Sequence, residues 1–181
     1  MAENKVMFGL KNVHYAILED GSFGTPVAIP GAVNLSLEAE GDVSKFYADN
    51  IVYYQTAANQ GYSGDLEIAR IPDQMLQDVW GYTLGGTDKV LTENANAEPK
   101  TFALLYEING DKDAEYYCLY ACTATRPNIG SATVEESKEV QTRTCTINAV
   151  PMADGKVMAR TSKDTPANVK TSWFTTVFAG E

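Results

Sequence analysis

The chain has 181 residues, 44% of them hydrophobic and 21% charged, which excludes a disordered protein and predicts one domain spanning residues 1–181. Its 24 acidic residues outnumber the 14 lysines and arginines, and the net charge of −10 disfavours a surface that binds nucleic-acid phosphates. Met1–Lys5 has no signal-peptide pattern and no segment approaches the roughly 20 apolar residues of a membrane span. We therefore expect a product of the cytoplasm with no membrane partner.

The first third of the chain alternates apolar with polar residues, with the period of two that is typical of β-strands. It is also rich in Val, Ile, Thr and Tyr, which fit a pleated, half-buried surface. The predicted strands are 13–18, 27–29, 33–38, 43–48, 51–56 and 62–69, with turn residues at 20–22 and 41–42. The pattern predicts a mainly β fold.

One segment, about 72–80, has a helical pattern. Pro72 stands where a first helical residue would, Asp73 adds an acid to the first turn, and Gly81 follows as a stop signal. Its apolar residues fall on one stripe: Met75, Leu76, Val79 and Trp80. We predict one short helix that flanks a sheet and buries Trp80.

A second β block follows the polar stretch 92–100. Residues 102–109 and 115–125 read as a hairpin around the turn 110–113, and further strands are predicted at 143–150 and 156–160. The predicted C-terminal arm, about 161–181, begins with a polar spacer, 161–172, and ends in the apolar run 173–178. Because exposed aromatic residues on a free tail favour aggregation, we expect this run to dock on a protein surface.

The three cysteines are expected to be reduced thiols, because their number is odd and a chain of this size does not need disulfide bonds. Cys118 and Cys122 lie four residues apart in a predicted strand. Regular alternation would put them on the same face about 13 Å apart, beyond the reach of a disulfide.

Residues that carry chemistry are sparse. His14 is the single histidine, no serine lies in a nucleophile elbow, and the cysteines lack the close spacing of zinc sites. The run Asp111, Asp113 and Glu115 lacks the glycine and final glutamate of a calcium loop, and Gly85 begins no phosphate loop. A pair of acids for glycoside chemistry stays open, although the sequence singles none out. We expect no enzyme, catalytic residue, cofactor or metal.

Several stretches resemble the major tail proteins of long-tailed phages with non-contractile tails that infect Gram-positive bacteria. The resembling stretches are GLKNVHYA at 9–16, FYADN at 46–50, the helix region 71–81, FALLYE at 102–107, the segment 135–145, and WF at 173–174. Together they span nearly the whole chain.

The resemblance implies a β-sandwich with a flanking helix that assembles into stacked hexameric rings, whose inner sheets join into a barrel around a DNA channel. The protein would be a structural component of the virion tail tube, present in the host cytoplasm before assembly. Its partners would be other copies, the tape measure and the terminator, and genomic DNA would pass through without specific binding.

Candidate residues for contacts between subunits lie in the region 41–61 and in the C-terminal arm, which combine polar spacers with aromatic residues. The candidates are Phe46, Tyr47, Tyr53, Tyr54, Tyr62, Trp173, Phe174 and Phe178. Packing within one subunit is the alternative for the tyrosines.

We expect both regions to become ordered on assembly and the channel wall to be net negative. Two other functional classes stay open: a tail terminator or head-completion ring protein, and a monomeric β-sandwich binding module.

Overall fold

A computed structural model of the chain describes residues 4–133 and 140–180; the resembling segment 135–145 therefore lies partly outside the described residues. The fold is mainly β, as the sequence predicted. The strands are β1 Met7–Glu19, β2 Ser22–Phe23, β3 Val27–Ala28, β4 Ala32–Glu40, β5 Val43–Ala48, β6 Ile51–Ala57, β7 Gly61–Ile68, β8 Thr83–Leu84, β9 Leu91–Thr92, β10 Phe102–Gly110, β11 Glu115–Ala124, β12 Arg143–Val150 and β13 Met158–Arg160. The helices are α1 Asp73–Trp80 and α2 Ala167–Ser172.

Nine strands form one antiparallel sheet, with the order β2-β1-β10-β11-β12-β7-β4; β3 also pairs with β1, and β13 with β11. The predicted hairpin of β10 and β11 is confirmed by their pairing. The sheet curls, so that β1 and β4 come close together although they lie far apart in the strand order. Two further pairs, β5-β6 and β8-β9, form small sheets of their own.

The inner face of the curl packs on α1, and we call this the helix-side core. It contains Leu66, Leu104 and Ile147 from the strands and Met75, Val79 and Trp80 from the helix. The helix follows Pro72 and ends at Gly81, whose φ of 68° is the left-handed conformation that glycine adopts without strain. The predicted helix and the burial of Trp80, which is 2% exposed, are confirmed.

The opposite face of β1, β10 and β11 carries a second cluster, which we call the C-terminal core. The strands supply Ala16, Ala103, Leu105, Cys118 and Tyr120, and Trp173 and Val177 cover them. The apolar end of the chain therefore docks on its own subunit. The helix α2 precedes it, within the predicted polar spacer. Sequence patterns missed this helix because most of its six residues are polar and they form no apolar stripe.

The prediction that Cys118 and Cys122 share a face is wrong. Phe102 pairs with Cys122 and Leu104 with Leu119, so two steps along β10 match three steps along β11. The extra residue in β11 reverses the alternation of its side chains. As a result, Cys118 packs in the C-terminal core and Cys122 in the helix-side core.

No helix within residues 4–133 and 140–180 has the length and apolar character needed to cross a membrane.

Candidate assembly surfaces

A long two-stranded ribbon projects from the edge of the large sheet. The pairing of β4 with β7 runs to Glu40 and Gly61 and continues through hydrogen bonds from Gln60 N to Glu40 O at 2.9 Å and from Ala58 N to Asp42 O at 3.0 Å. Beyond these bonds β5 pairs with β6. The tip residues Asp49 and Asn50 both have positive φ, 51° and 62°, which is the backbone of a type I′ turn and suits the twist of a hairpin.

This projecting segment, Val43–Ala57, is called the aromatic hairpin from here on. Nearly every residue in it is exposed, and its four aromatic side chains, Phe46, Tyr47, Tyr53 and Tyr54, are 60–71% exposed. Val43, Ile51 and Val52 are exposed beside them. Both faces of the hairpin thus present apolar side chains to water. A two-stranded hairpin is marginally stable by itself in water, and a large exposed apolar patch marks an interaction site.

The other predicted contact residues lie elsewhere. Tyr62 packs against the helix-side core. Trp173 is 3% exposed, and its indole nitrogen donates to the Tyr117 carbonyl at 3.3 Å. Phe178 stacks on Trp173, with ring centroids 5.6 Å apart.

Phe174 is half-buried and contacts the ring of His14 at 5.0 Å and the ring of Tyr116 at 5.2 Å. The three aromatic residues of the C-terminal arm therefore have partners inside their own subunit. The structure brings together four of the eight candidates in the aromatic hairpin, and contacts between subunits stay a prediction.

Sequence reasoning did not single out Val43, Ile51 and Val52 as part of the same surface. A signal was present: Ile51–Tyr54 is a run of four large apolar or aromatic residues inside a short predicted strand. A strand that covers a core with one face alternates, whereas this run places large side chains on both faces. Such a strand needs cover on two sides.

A second surface is the outward side of three neighbouring strands, and we call it the polar face. It consists of Asn34, Ser36 and Glu38 of β4, Ser63, Asp65 and Glu67 of β7, and Thr144, Thr146 and Asn148 of β12. The register aligns them in three rows, such as Ser36, Asp65 and Thr146. The alternate residues of the same strands pack in the helix-side core, which fixes the orientation of the whole face.

Hydrogen bonds within two rows of the polar face join β7 to β12. Thr146 Oγ1 donates to Asp65 Oδ1 at 2.8 Å, and Ser63 Oγ donates to Asn148 Oδ1 at 2.8 Å. Three of the nine residues are acids, and the other six are Ser, Thr or Asn. The face is therefore hydrophilic and net negative, and its own hydroxyl groups hold two of its side chains in place.

The three cysteines are free thiols buried in the cores. Burial raises the pKa of Cys118 to about 12 and that of Cys145 to about 11, and it also raises the pKa of Cys122. Protonated thiols are poor nucleophiles and poor metal ligands. Within the described part of the chain, no group of three or more His, Cys, Asp or Glu side chains could hold a metal ion.

The fold is similar to that of a chain in the six-fold symmetrised cryo-EM structure of the anti-feeding prophage baseplate. The TM-score is 0.52 and the sequence identity 12%, over 91% of this chain and 99% of that chain. At that identity the likeness establishes a shared fold. No protein-family model and no curated protein matches the sequence.

Proposed function

We propose that this chain is a structural virion protein that polymerises as stacked hexameric rings into a phage tail tube, the channel for DNA ejection. The observation that carries the proposal is the aromatic hairpin, whose apolar side chains have no cover in their own subunit within the described residues. Cover from neighbouring copies would remove them from water, and repeated contacts of one kind between copies build rings and stacks.

The shared fold supports the same class of protein. The similar chain belongs to a six-fold symmetrised prophage baseplate, and it matches almost the whole of this chain. Six copies per ring is therefore the number we propose here. The proposal includes assembly with other tail proteins, such as a tape measure and a terminator, and a location in the virion. It assigns no catalytic activity, cofactor or metal to the chain.

The polar face is the surface we propose for the channel wall. Duplex DNA carries one negative charge per about 1.7 Å of its axis, so basic side chains on a wall would hold it by releasing counterions. The nine residues of the polar face include three acids and no Lys, Arg or His. A hydrated acidic wall would let DNA pass without specific binding, which is the property a channel for ejection needs.

Assembly of the purified protein tests the proposed function. We expect electron microscopy at increasing protein concentration to show tubes with a central channel, and sedimentation velocity to show species much larger than a monomer. Rings that never elongate would favour the second candidate, a terminator or head-completion protein, which caps a tube. A monomer at every concentration would contradict the proposal and favour a β-sandwich binding module.

A further inference from the structure

An open seam separates β1 from β4 where the curled sheet approaches itself. The first half of β1 pairs with β10, and β4 pairs with β7. Within the described residues the other edge of each strand has no strand partner along this stretch. One end of the seam is closed, because Ile29 N donates to Val13 O at 2.7 Å and β3 pairs with β1 at His14. Unpaired edges of this kind accept further strands.

Two cavities follow the seam and give it depth. The larger, about 490 Å³, is lined mainly by apolar side chains: Leu10, Val33, Leu35, Leu37, Tyr106 and Ile108. The smaller, about 320 Å³, lies between residues 10–14 and 28–32. Val33 is exposed, and Leu10 and Leu35 are half-buried, so the seam is an apolar groove between two free strand edges.

We propose that the aromatic hairpin of a second copy of this chain docks along this seam, with its apolar side chains over the groove. The proposal rests on the proposed function, in which copies contact one another, and it names the surface that receives the hairpin. The hairpin strands β5 and β6 pair with each other, so each has one outer edge without a strand partner in the described structure. The hairpin and the seam therefore complement each other in two respects: each has a backbone edge without a strand partner in the described residues, and each presents apolar side chains.

A hairpin cannot enter the seam of its own subunit. It continues the pairing of β4 with β7 beyond Glu40, whereas the seam runs beside the opposite part of β4, Ala32–Leu37. Folding back would break the hydrogen bonds at Glu40 and Asp42 that carry the ribbon outward. A hairpin that docks in the seam must therefore come from another copy.

The exposed area of the hairpin is large enough to matter for a stable contact. An aromatic side chain buries about 150–250 Å² when covered, so four side chains exposed by 60–71% would bury on the order of 500 Å². A standard interface buries about 800 Å² on each partner. The four aromatic side chains of the hairpin would thus supply more than half of the surface that one partner buries in a standard interface.

Site-specific cross-linking tests the proposal, because the native cysteines are buried and protonated. One protein carries Tyr53→Cys in the hairpin, a second carries Val33→Cys in the seam, and the two are mixed before assembly with a short thiol-specific cross-linker. Ile129→Cys replaces Tyr53→Cys as the control, since Ile129 is 87% exposed and apolar but lies outside both surfaces. Unchanged melting temperatures establish that the variants fold.

We expect the hairpin variant to cross-link to the seam variant at least about ten times faster than the control does, because docking raises the effective concentration of the two thiols. Hydrogen exchange at residues 33–37 should also slow on assembly, as amides become paired. Tubes that form with equal cross-linking rates and unchanged exchange would overturn the docking and leave the tube function standing. A protein that stays monomeric would overturn both.

Discussion

The indole nitrogen of Trp80 donates a hydrogen bond to the backbone carbonyl of Ala124 at 3.1 Å, which joins the last residue of α1 to the end of β11. The same nitrogen lies 3.1 Å from the carbonyl oxygen of Thr125. Tyr15 makes a second link to the helix, since its hydroxyl donates to Asp78 Oδ2 at 2.7 Å. Both burial and hydrogen bonding therefore hold α1 on the sheet.

Replacing Trp80 by Ala should destabilise the protein by about 3–5 kcal/mol, the usual cost of truncating a buried Trp to Ala. Trp80→Phe keeps much of the ring volume and loses the indole N–H, so it should cost less. Urea unfolding followed by circular dichroism measures both. Equal stability of Trp80→Ala and the wild type would show that α1 does not depend on this residue.

The sequence was sufficient to predict the longer strands and α1, because their signals are local, whereas the two-residue strands β2, β8 and β9 were not predicted. Alternation or a run of β-favouring residues identified β4 to β7, and Pro72, the apolar stripe and Gly81 together bounded α1. Two features depended on distant partners and were missed. The extra residue in β11 that separates Cys118 from Cys122 is defined by its pairing with β10. Helix α2 is short, and it lies on a surface that the C-terminal core creates.

The candidate surfaces also differ in whether their sequence signal is local or depends on distant partners. The tyrosine-rich run of the aromatic hairpin was visible in the sequence because so many large residues are adjacent. The polar face was not, since its nine residues come from three strands and align through the register of β4, β7 and β12. The arrangement of Trp173 and Phe178 on their own subunit likewise needed the folded C-terminal core.

The C-terminal arm should contribute to stability mainly through Trp173. This side chain is 3% exposed and covers Ala103 and Leu105, so Trp173→Ala should cost about 3–5 kcal/mol. Phe178 is 37% exposed, and Phe178→Ala should cost clearly less. Thermal unfolding with light scattering measures stability and aggregation together. A larger loss of stability in Phe178→Ala than in Trp173→Ala would contradict the position of the C-terminal arm in the fold.

The aromatic hairpin should serve assembly and not the stability of the subunit. Phe46 of β5 pairs with Tyr54 of β6, and both side chains are exposed. Replacing both residues by Ser should therefore leave the melting temperature nearly unchanged. The same change should abolish tubes and rings, as it removes apolar area that a neighbour would cover. Ile129→Ser is the matched control, and it should assemble like the wild type. Normal tubes from the double variant, seen by electron microscopy, would exclude the hairpin from the interface.

Stability should fall in alkaline solution. Burial raises the pKa of the Cys118 thiol from 9.0 to about 12 and that of the Tyr120 phenol from 10.0 to about 12. The folded chain therefore keeps protons that the unfolded chain releases above about pH 9, and unfolding becomes favourable as the pH rises towards 12.

We expect a melting temperature that is steady from about pH 7 to 9 and then decreases up to about pH 12. Cys118→Ala removes one of the responsible groups, so its melting temperature should decrease less steeply. Calorimetry across this pH range gives the dependence of the melting temperature on pH for the wild type and for Cys118→Ala. A constant melting temperature up to about pH 11 would mean that these groups titrate normally in the folded protein.

The polar face should decide whether DNA moves freely through the assembled tube. Asp65 lies in the middle row of this face, between Ser36 and Thr146, and Asp65→Lys would turn an acid into a base at every copy of the subunit. Each new lysine that contacts a phosphate releases counterions, and the contacts add along the tube. Tubes of this variant should therefore retain a short fluorescent duplex at about 0.05 M salt and release it at about 0.2 M. Wild-type tubes should retain none at either concentration.

Glu98→Lys makes the same change of charge at an exposed residue outside the polar face and serves as the matched control. Electron microscopy first establishes that both lysine variants assemble. Equal retention of the duplex by the two variants would then show that the polar face does not line the channel. Retention by Asp65→Lys alone, lost with salt, is the result that the hydrated acidic wall predicts.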